Sequence, residues 1–291
     1  RQEVNSMGIP VPAEEGGSSL VSTTALPAGF INQVNSLYPE KQNVKDADFS
    51  KNSDLRVVGK NGAEVWVTYI GDGNFYLNNM NTYNSLMYYN YIESELSSMN
   101  SLTPATLHMT MLLPNTNQMY CPAGLKLQLL YWDGNQYSKT FPEGTRIGFA
   151  VAREGYKCNG APITDASAYS FKRIIGSTLY PQKDGDVRGN YYSTPQLNQV
   201  GKSQAVTRWI EDYGYCVTGL DIRPIGNAKS DYDFNDVLIA VSSSPIPDAI
   251  QPGTVIDPVE VAVASESTYG TLAFEDLWPN QGDYDMNDFV V

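Results

Sequence analysis

Histidine is almost absent from this chain: of 291 residues only His108 is a histidine. A catalytic site that pairs a serine or cysteine nucleophile with histidine would have to use this one residue. The segment around it, "TLHMTMLL", is apolar, so we predict that His108 lies in a strand near the core. No GxSxG, HExxH, phosphate-binding glycine loop or dinucleotide fingerprint occurs either. The sequence therefore predicts no catalytic residues and favours a protein that is not an enzyme.

Cysteine is also scarce, with Cys121, Cys158 and Cys216 far apart in the chain. The absence of a CxxC pair argues against a zinc knuckle, and the low number excludes a disulfide-dense scaffold. Two alternatives remain open at this point: one disulfide bridge with one free thiol, or three buried thiols.

Basic residues are few: 19 Lys and Arg stand against 32 Asp and Glu, for a net charge of −13. Nucleic acids and anionic membrane surfaces both require clustered Lys and Arg, so we expect neither as a partner. The chain also lacks an apolar run of ~18 residues, so we predict no transmembrane segment in it. This negative charge remains compatible with cations, neutral sugars and other proteins as partners.

Short segments of alternating or β-branched residues predict strands at 63–71, 125–132, 145–152 and 237–241. Clusters of Gly, Asn and Asp separate them, and no alternation of strands with helices appears. Only "MYYNYIESELSSM" (87–99) has a helical period. The predicted fold class is therefore mainly all-β, an antiparallel β-sandwich or jelly roll with at most a short helix.

The chain is expected to contain three regions. Residues 1–28 are polar and rich in Gly, Ser and Pro, which is typical of a flexible tether or a trimmed mature terminus. Residues 29–247 would form the β-sandwich module, and residues 248–291 a second, shorter segment. An export signal is inferred for the protein, not seen in the sequence.

Two stretches share an acidic pattern: "SDYDFNDVLIAV" at 230–241 and "GDYDMNDFVV" at 282–291. In the first, the alternate residues Asp231, Asp233 and Asn235 can turn their oxygens toward one point, with Asp236 beside them. Three carboxylates this close repel one another unless a cation lies between them. The spacing resembles the start of an EF-hand loop, but that loop needs Gly where Asp236 stands and a bidentate carboxylate where Ser242 stands.

The missing ligands are expected to come from upstream of each motif. Each copy then reads as a strand with an acidic residue, a loop, the motif and a second strand, which predicts a hairpin-like clamp. Oxygen ligands without nearby His or Cys favour Ca²⁺. The alternative is an Asx-rich turn held by its own hydrogen bonds. The predicted metal ligands are Asp221, Asp231, Asp233, Asn235 and Asp236 in the first copy, and Glu275, Asp276, Asp283, Asp285, Asn287 and Asp288 in the second.

Residues from about 60 to 245 resemble a bacterial extracellular domain of unknown function. The resemblance rests on "GTRIGF" at Gly144–Phe149, on the "YYS…LN" stretch at Tyr191–Asn198, and on the DxDFNDV motif from Asp231. Residues from about 255 to 291 are similar to the opening of an LruC domain, through "FEDLWPNQGDYDMNDFVV".

The LruC resemblance implies an exported, often lipid-anchored surface protein of a Gram-negative bacterium, hence a secreted or outer-membrane lipoprotein. It also implies that the acidic motif is a calcium site and that no enzymatic activity is established. In the first copy "GLDIRP" replaces "FED" upstream, so the resemblance supports Asp221 less than Glu275. Because the family continues beyond the position of Val291, we expect the second loop to be incomplete and to bind Ca²⁺ more weakly.

The sequence thus predicts a non-catalytic surface module that calcium stabilises, serving adhesion or surface structure. Two alternatives remain. One is a carbohydrate-binding module, because the chain has 20 Tyr and 4 Trp and "TYNSLMYYNY" (82–91) could offer stacking surfaces to glycans. The other is a glycoside hydrolase, which needs a groove with two carboxylates at hydrolase spacing.

Overall fold

The computed structural model of the chain describes residues 4–72, 83–92, 103–104, 107–153, 155–158, 161–162, 190–228, 230–244, 250–252, 273–274 and 289–290. The chain divides into two compact units, Arg1–Thr254 and Val255–Val291. The larger unit holds nearly all of the described residues.

Strands dominate the described part of the chain, which has one α-helix, α1 (Ala28–Leu37). In chain order the strands are β1 (Val21–Thr23), β2 (Leu55–Val57), β3 (Ala63–Gly71), β4 (Ser85–Ile92), β5 (Met109–Leu113), β6 (Leu125–Gln128), β7 (Tyr131–Trp132), β8 (Tyr137–Ser138), β9 (Thr140–Phe141), β10 (Thr145–Ala152), β11 (Lys157–Cys158), β12 (Ala161–Pro162), β13 (Asn190–Tyr192), β14 (Ala205–Ile210), β15 (Tyr215–Leu220), β16 (Val237–Ser244), β17 (Ile250–Pro252), β18 (Ala273–Phe274) and β19 (Phe289–Val290).

Two antiparallel sheets form the larger unit. The first has the strand order β1-β6-β3-β16-β15-β14, with β9 also paired to β3. The second has the order β17-β2-β10-β4-β5, with β13 also paired to β10. The small pairs β7–β8 and β11–β12 stand apart from both sheets. The fold is therefore all-β and sandwich-like, as predicted from the sequence.

The main core lies between the two sheets because the strands alternate as a half-buried sheet requires. Val65, Val67 and Tyr69 of β3 belong to one buried cluster with Ile147 and Phe149 of β10. The opposite side of the first sheet is covered by α1, whose Phe30 and Val34 are one turn apart and fully buried. The hydroxyl of Tyr38, just past α1, donates to the carbonyl oxygens of Val206 and Val217 at 3.0 and 2.9 Å.

The four strands predicted from the sequence are confirmed. Residues 63–71 and 145–152 form β3 and β10 with the predicted bounds. The predicted strand at 125–132 is divided into β6 and β7, and that at 237–241 continues to Ser244 as β16.

The helical prediction for 87–99 is wrong in the part that the structure describes. Residues 87–92 belong to β4, which pairs along its whole length with β10. Tyr88, Tyr89 and Tyr91 are buried, whereas a surface helix would expose part of such a run. Pairing with β10 therefore shows that residues 87–92 follow the period of a strand and not that of a helix. Residues 93–99 lie outside the described residues.

The prediction of a flexible tether over 1–28 is also wrong for residues 4–28. Val21 pairs with Leu127 as part of β1, and Ile9 and Val21 are only 4% and 1% exposed. The Asn115 side-chain amide donates to the carbonyl oxygen of Met7 at 2.9 Å. The segment has a polar composition, but its few apolar residues complete the edge of the first sheet.

Cys121 and Cys216 are free, buried thiols. A bridge between these two is therefore excluded, while the side chain of Cys158 lies outside the described residues. No described helix is long and apolar enough to cross a membrane.

Candidate metal centre

The first acidic motif lies in the loop between β15 and β16. These strands pair up to Leu220 and Val237, so the loop begins at Asp221 and ends at Asp236. The register places these two carboxylates directly beyond the last strand pair. The strand, loop and strand expected around the first motif are present in this hairpin, with Asp221 directly after β15 and Asp236 directly before β16.

Asp221 and Asp236 accept hydrogen bonds from backbone N–H groups and from one side-chain hydroxyl of the same loop. The Arg223 N–H donates to Oδ1 of Asp221 at 2.7 Å, and the Ser230 hydroxyl donates to Oδ2 at 2.7 Å. The Ile222 N–H donates to Oδ2 of Asp236 at 3.0 Å. Asp221 is fully buried. This part of the loop therefore also has the Asx-type hydrogen bonds of the alternative interpretation.

Asp233 and Asn235 are buried as well, at 3% and 5% exposure, and they meet a segment far away in the chain. The Lys41 N–H donates to Oδ2 of Asp233 at 3.0 Å. The amide of Asn235 donates to Oε2 of Glu40 at 3.1 Å. Glu40 thus belongs to the cluster, although no pattern in the sequence singles it out.

The apolar residues between the acidic ones explain how the loop keeps its shape. Tyr232 and Phe234 have positive φ angles of 58° and 52°, which is unusual for aromatic residues. The Phe234 ring is fully buried and stacks on Phe49, with centroids 5.0 Å apart and planes at 20°. Phe234 belongs to the apolar cluster next to the loop, while its neighbours Asp233 and Asn235 make hydrogen bonds to Lys41 and Glu40. Asp231, at the start of the motif, is exposed.

Burial and mutual repulsion raise the pKa values of two carboxyl groups in this loop. For Asp221, burial is the largest cause and the neighbouring Asp236 carboxylate the next, and the pKa lies well above its usual range. For Asp233, burial, opposed by the hydrogen bond from the Lys41 N–H, raises the pKa to about 7, and Asp236, Asp231 and Glu40 add to the rise. A cation placed among these groups would relieve both causes.

The side chains are nevertheless not arranged as a finished metal site. Within the described part of the chain, no group of three or more His, Cys, Asp or Glu side chains is positioned to hold a metal ion. Hydrogen-bonded carboxylates keep further lone pairs, since an ionised carboxylate offers about four acceptor positions. Ligation of one ion by the predicted residues would require side-chain rotation within the loop.

The second motif can be placed only by the strands that flank it. In the smaller unit β18 pairs with β19, so that Phe274 lies opposite Phe289. The predicted ligands between these strands lie outside the described residues: Glu275, Asp276, Asp283, Asp285, Asn287 and Asp288. Both acidic motifs are therefore connected to an antiparallel strand pair that closes immediately beside them.

The aromatic residues proposed for glycan stacking at 82–91 are inside the protein. Tyr83, Tyr88, Tyr89 and Tyr91 are each 5% exposed or less. His108, in contrast, is exposed and lies just before β5, so the prediction of a position near the core is wrong. Its ring stacks on Trp132 at the edge of the sandwich, where the core does not reach.

Comparison with known proteins adds no relative. The chain matches no protein-family model, and no curated protein or solved structure is detectably similar to it. The class of the protein is therefore defined by its fold alone, an antiparallel β-sandwich-like module with a second, smaller unit.

Proposed function

We propose that this protein is a non-catalytic, exported surface module whose acidic hairpin loops bind Ca²⁺. The observation that supports it most is the loop 221–236, where buried carboxylates with raised pKa values gather beside Asn235 and Glu40. Carboxylates that repel one another in a buried loop oppose folding, and a hard divalent cation is the natural counter-charge for an all-oxygen set.

The proposed role of calcium is to crosslink the fold. The loop already contacts the segment after α1: the Val44 N–H donates to the Tyr232 carbonyl oxygen at 2.9 Å. An ion shared by Asp233, Asn235 and Glu40 would connect that segment to the β15–β16 hairpin. Because the ion binds the folded state, it adds RT ln(1 + [Ca²⁺]/Kd) to the free energy of unfolding.

Thermal melting with and without calcium tests this proposal. At a free Ca²⁺ concentration a hundred times Kd, the gain is about 2.7 kcal/mol. In a unit of this size that corresponds to a rise in Tm of about 5–10 °C over the EDTA-treated protein. Mg²⁺ should reproduce little of it, since it prefers a regular octahedral site with several waters.

The matched variants are Asp233→Asn and Asp212→Asn. Asp233→Asn keeps the shape of the side chain but removes the charge, and it should abolish most of the calcium-dependent rise. Asp212 is exposed and lies in the turn after β14, so its variant should respond to calcium as the wild type does. Identical melting curves in Ca²⁺ and EDTA for the wild type would contradict the proposal.

Export to the cell surface is proposed from the resemblance of the two motif regions to extracellular bacterial domains. Labelling of intact cells of the source organism with a membrane-impermeant lysine reagent tests it. The exposed Lys51 and Lys139 should be modified without cell lysis. Modification only after lysis would place the protein inside the cell.

A further inference from the structure

Three ring side chains form a cluster at the edge of the sandwich, which we call the aromatic cluster: His108, Trp132 and Tyr137. The His108 and Trp132 rings are nearly parallel, with centroids 4.2 Å apart and planes at 11°. The Tyr137 ring lies 4.9 Å from Trp132 and 5.8 Å from His108, tilted by 54° and 57°. The calcium proposal does not involve any of these residues.

Hydrogen bonds hold the aromatic cluster in one arrangement. The Tyr137 hydroxyl is 2.7 Å from Nε2 of His108 and 3.0 Å from the Thr110 hydroxyl. The Asn90 side chain pairs with the backbone of Trp132: its amide donates to the carbonyl oxygen, and the Trp132 N–H donates to its Oδ1, both at 2.9 Å. The cluster therefore bridges β4 and β5 of the second sheet to the β7–β8 hairpin.

The rings are fixed and yet remain open to solvent. Tyr137 is 43% exposed and His108 is exposed too, while Trp132 lies half-buried beneath them. A cluster that only fastened the hairpin would gain more by burying all three rings. Exposed aromatic rings that are already ordered can bind a ligand with little further loss of side-chain entropy.

The turn between β7 and β8 adds polar groups beside the rings. Oδ1 of Asp133 accepts the N–H groups of Asn135 and Gln136 at 2.8 and 2.7 Å, which fixes the turn. The side chains of Asn135 and Gln136 are exposed. The turn that joins the strands of Trp132 and Tyr137 thus presents neutral amides to solvent.

We propose that the aromatic cluster binds the ring face of a neutral saccharide. Axial C–H groups of a sugar carry partial positive charge and stack on the negative face of an aromatic ring, as the ring quadrupole requires. The sugar hydroxyls can exchange donors and acceptors with the amides of the β7–β8 turn. The net charge of −13 and the Asp133 carboxylate disfavour an anionic ligand.

The aromatic cluster and the acidic loop lie at opposite ends of the first sheet. The end of β16 next to the acidic loop pairs Leu238 with Gly71, and its other end pairs Ser244 with Glu64. Strand β6 leaves the sheet toward Trp132 past that second end, because Gln128 lies opposite Trp66. An eight-residue strand spans roughly 25 Å, so saccharide binding should not need calcium.

Binding to immobilised neutral glycans tests the proposal. The full chain is applied to an array of cello-, xylo-, manno- and malto-oligosaccharides, once with Ca²⁺ and once with EDTA, and retained sugars are titrated by calorimetry. We expect binding under both conditions. Tyr137→Ala and His108→Ala should each weaken it at least about tenfold, as expected when an anchor residue of a small site is removed.

Two further variants separate the proposed site from general effects of mutation. Tyr137→Phe keeps the ring but loses the hydroxyl that contacts His108 and Thr110, so its affinity should fall between those of the wild type and of Tyr137→Ala. Trp66→Ala removes a half-buried Trp from the outer face of the first sheet, where Lys126 Nζ lies 5.5 Å from its ring, and should leave binding unchanged. Circular dichroism of every variant confirms that it is folded.

Three results would overturn the proposal. The first is that the folded wild type retains none of the neutral glycans. The second is that Tyr137→Ala and His108→Ala bind as tightly as the wild type. The third is that a proline-rich peptide is retained while the glycans are not, since it would assign the aromatic surface to peptide recognition.

Discussion

At the residue scale, Asp54 shows how a buried charge is accommodated in this sandwich. It is fully buried just before β2, and hydroxyl groups of Tyr91, Ser193 and Thr194 donate to its carboxylate. Burial raises its pKa above the ordinary value of 3.8, although these hydrogen bonds and the Arg146 charge oppose the rise. The folded state therefore holds the Asp54 proton more tightly than the unfolded chain does.

This shift predicts a pH dependence that the variant Asp54→Asn should lack. As pH rises through 3.8, the unfolded chain releases the proton first, so the wild type loses stability until pH exceeds the folded pKa. Above that pH the difference in the free energy of unfolding between wild type and variant should stay constant. Urea denaturation of both proteins across the acidic range measures it. If the wild type gained stability relative to Asp54→Asn as pH rose, folding would lower the pKa of Asp54 and the predicted direction of the shift would be wrong.

Glu40 is a second single residue with a defined expectation. If the calcium proposal is right, its carboxylate, 3.1 Å from the Asn235 amide, lies near enough to complete the ligand set. Glu40→Gln should weaken Ca²⁺ binding roughly tenfold, the effect of one lost charged partner. Calorimetric titration measures this change. Glu211→Gln, at an exposed position after β14, serves as the control and should bind as the wild type does.

At the element scale, β1 tests whether the N-terminal segment belongs to the fold. Val21 is buried against β6, while its neighbour Ser22 is exposed. Val21→Ala should lower the free energy of unfolding by about 2 kcal/mol, because it removes buried apolar atoms and leaves a cavity. Ser22→Ala should change it by less than about 0.5 kcal/mol. Equal urea midpoints for the two variants would mean that the segment is a tether after all.

The two acidic hairpins share one construction at this scale. In each, a strand pair closes directly next to the first and last acidic positions: Leu220 with Val237, and Phe274 with Phe289. An antiparallel pair fixes the distance between its two strands. Such a pair can hold an upstream carboxylate and the motif at a set separation, which is what a clamp for one ion needs.

At the scale of the whole molecule, the division into Arg1–Thr254 and Val255–Val291 predicts independent effects of the two motifs. Asp285→Ala, in the second motif, should leave the Asp233-dependent rise in Tm unchanged, since the effects of independent sites add. Differential scanning calorimetry of the single and double variants checks this. A calcium-dependent rise that disappears in Asp285→Ala would show that the two motifs form one site.

The sequence by itself determined the fold class and the positions of four strand segments, at 63–71, 125–132, 145–152 and 237–241. Alternation of apolar and polar residues is a local property and was enough to predict β3. A short apolar, β-branched run is local too, and it predicted β10 and the first part of β16, which are buried on both faces. The same reasoning selected the acidic hairpin loop, since the spacing of Asp231, Asp233 and Asn235 is local as well.

Only the tertiary structure decided the features that depend on contacts between distant residues. The tyrosines of β4 fit a helical period in sequence, but pairing with β10 made them a buried strand. The polar composition of residues 4–28 does not predict burial, but pairing of β1 with the edge strand β6 buries part of this segment. Glu40 lies 195 residues from Asn235, and His108 meets Trp132 and Tyr137 only where the sheets end. Chain folding creates these neighbours, so no pattern within one segment could have shown them.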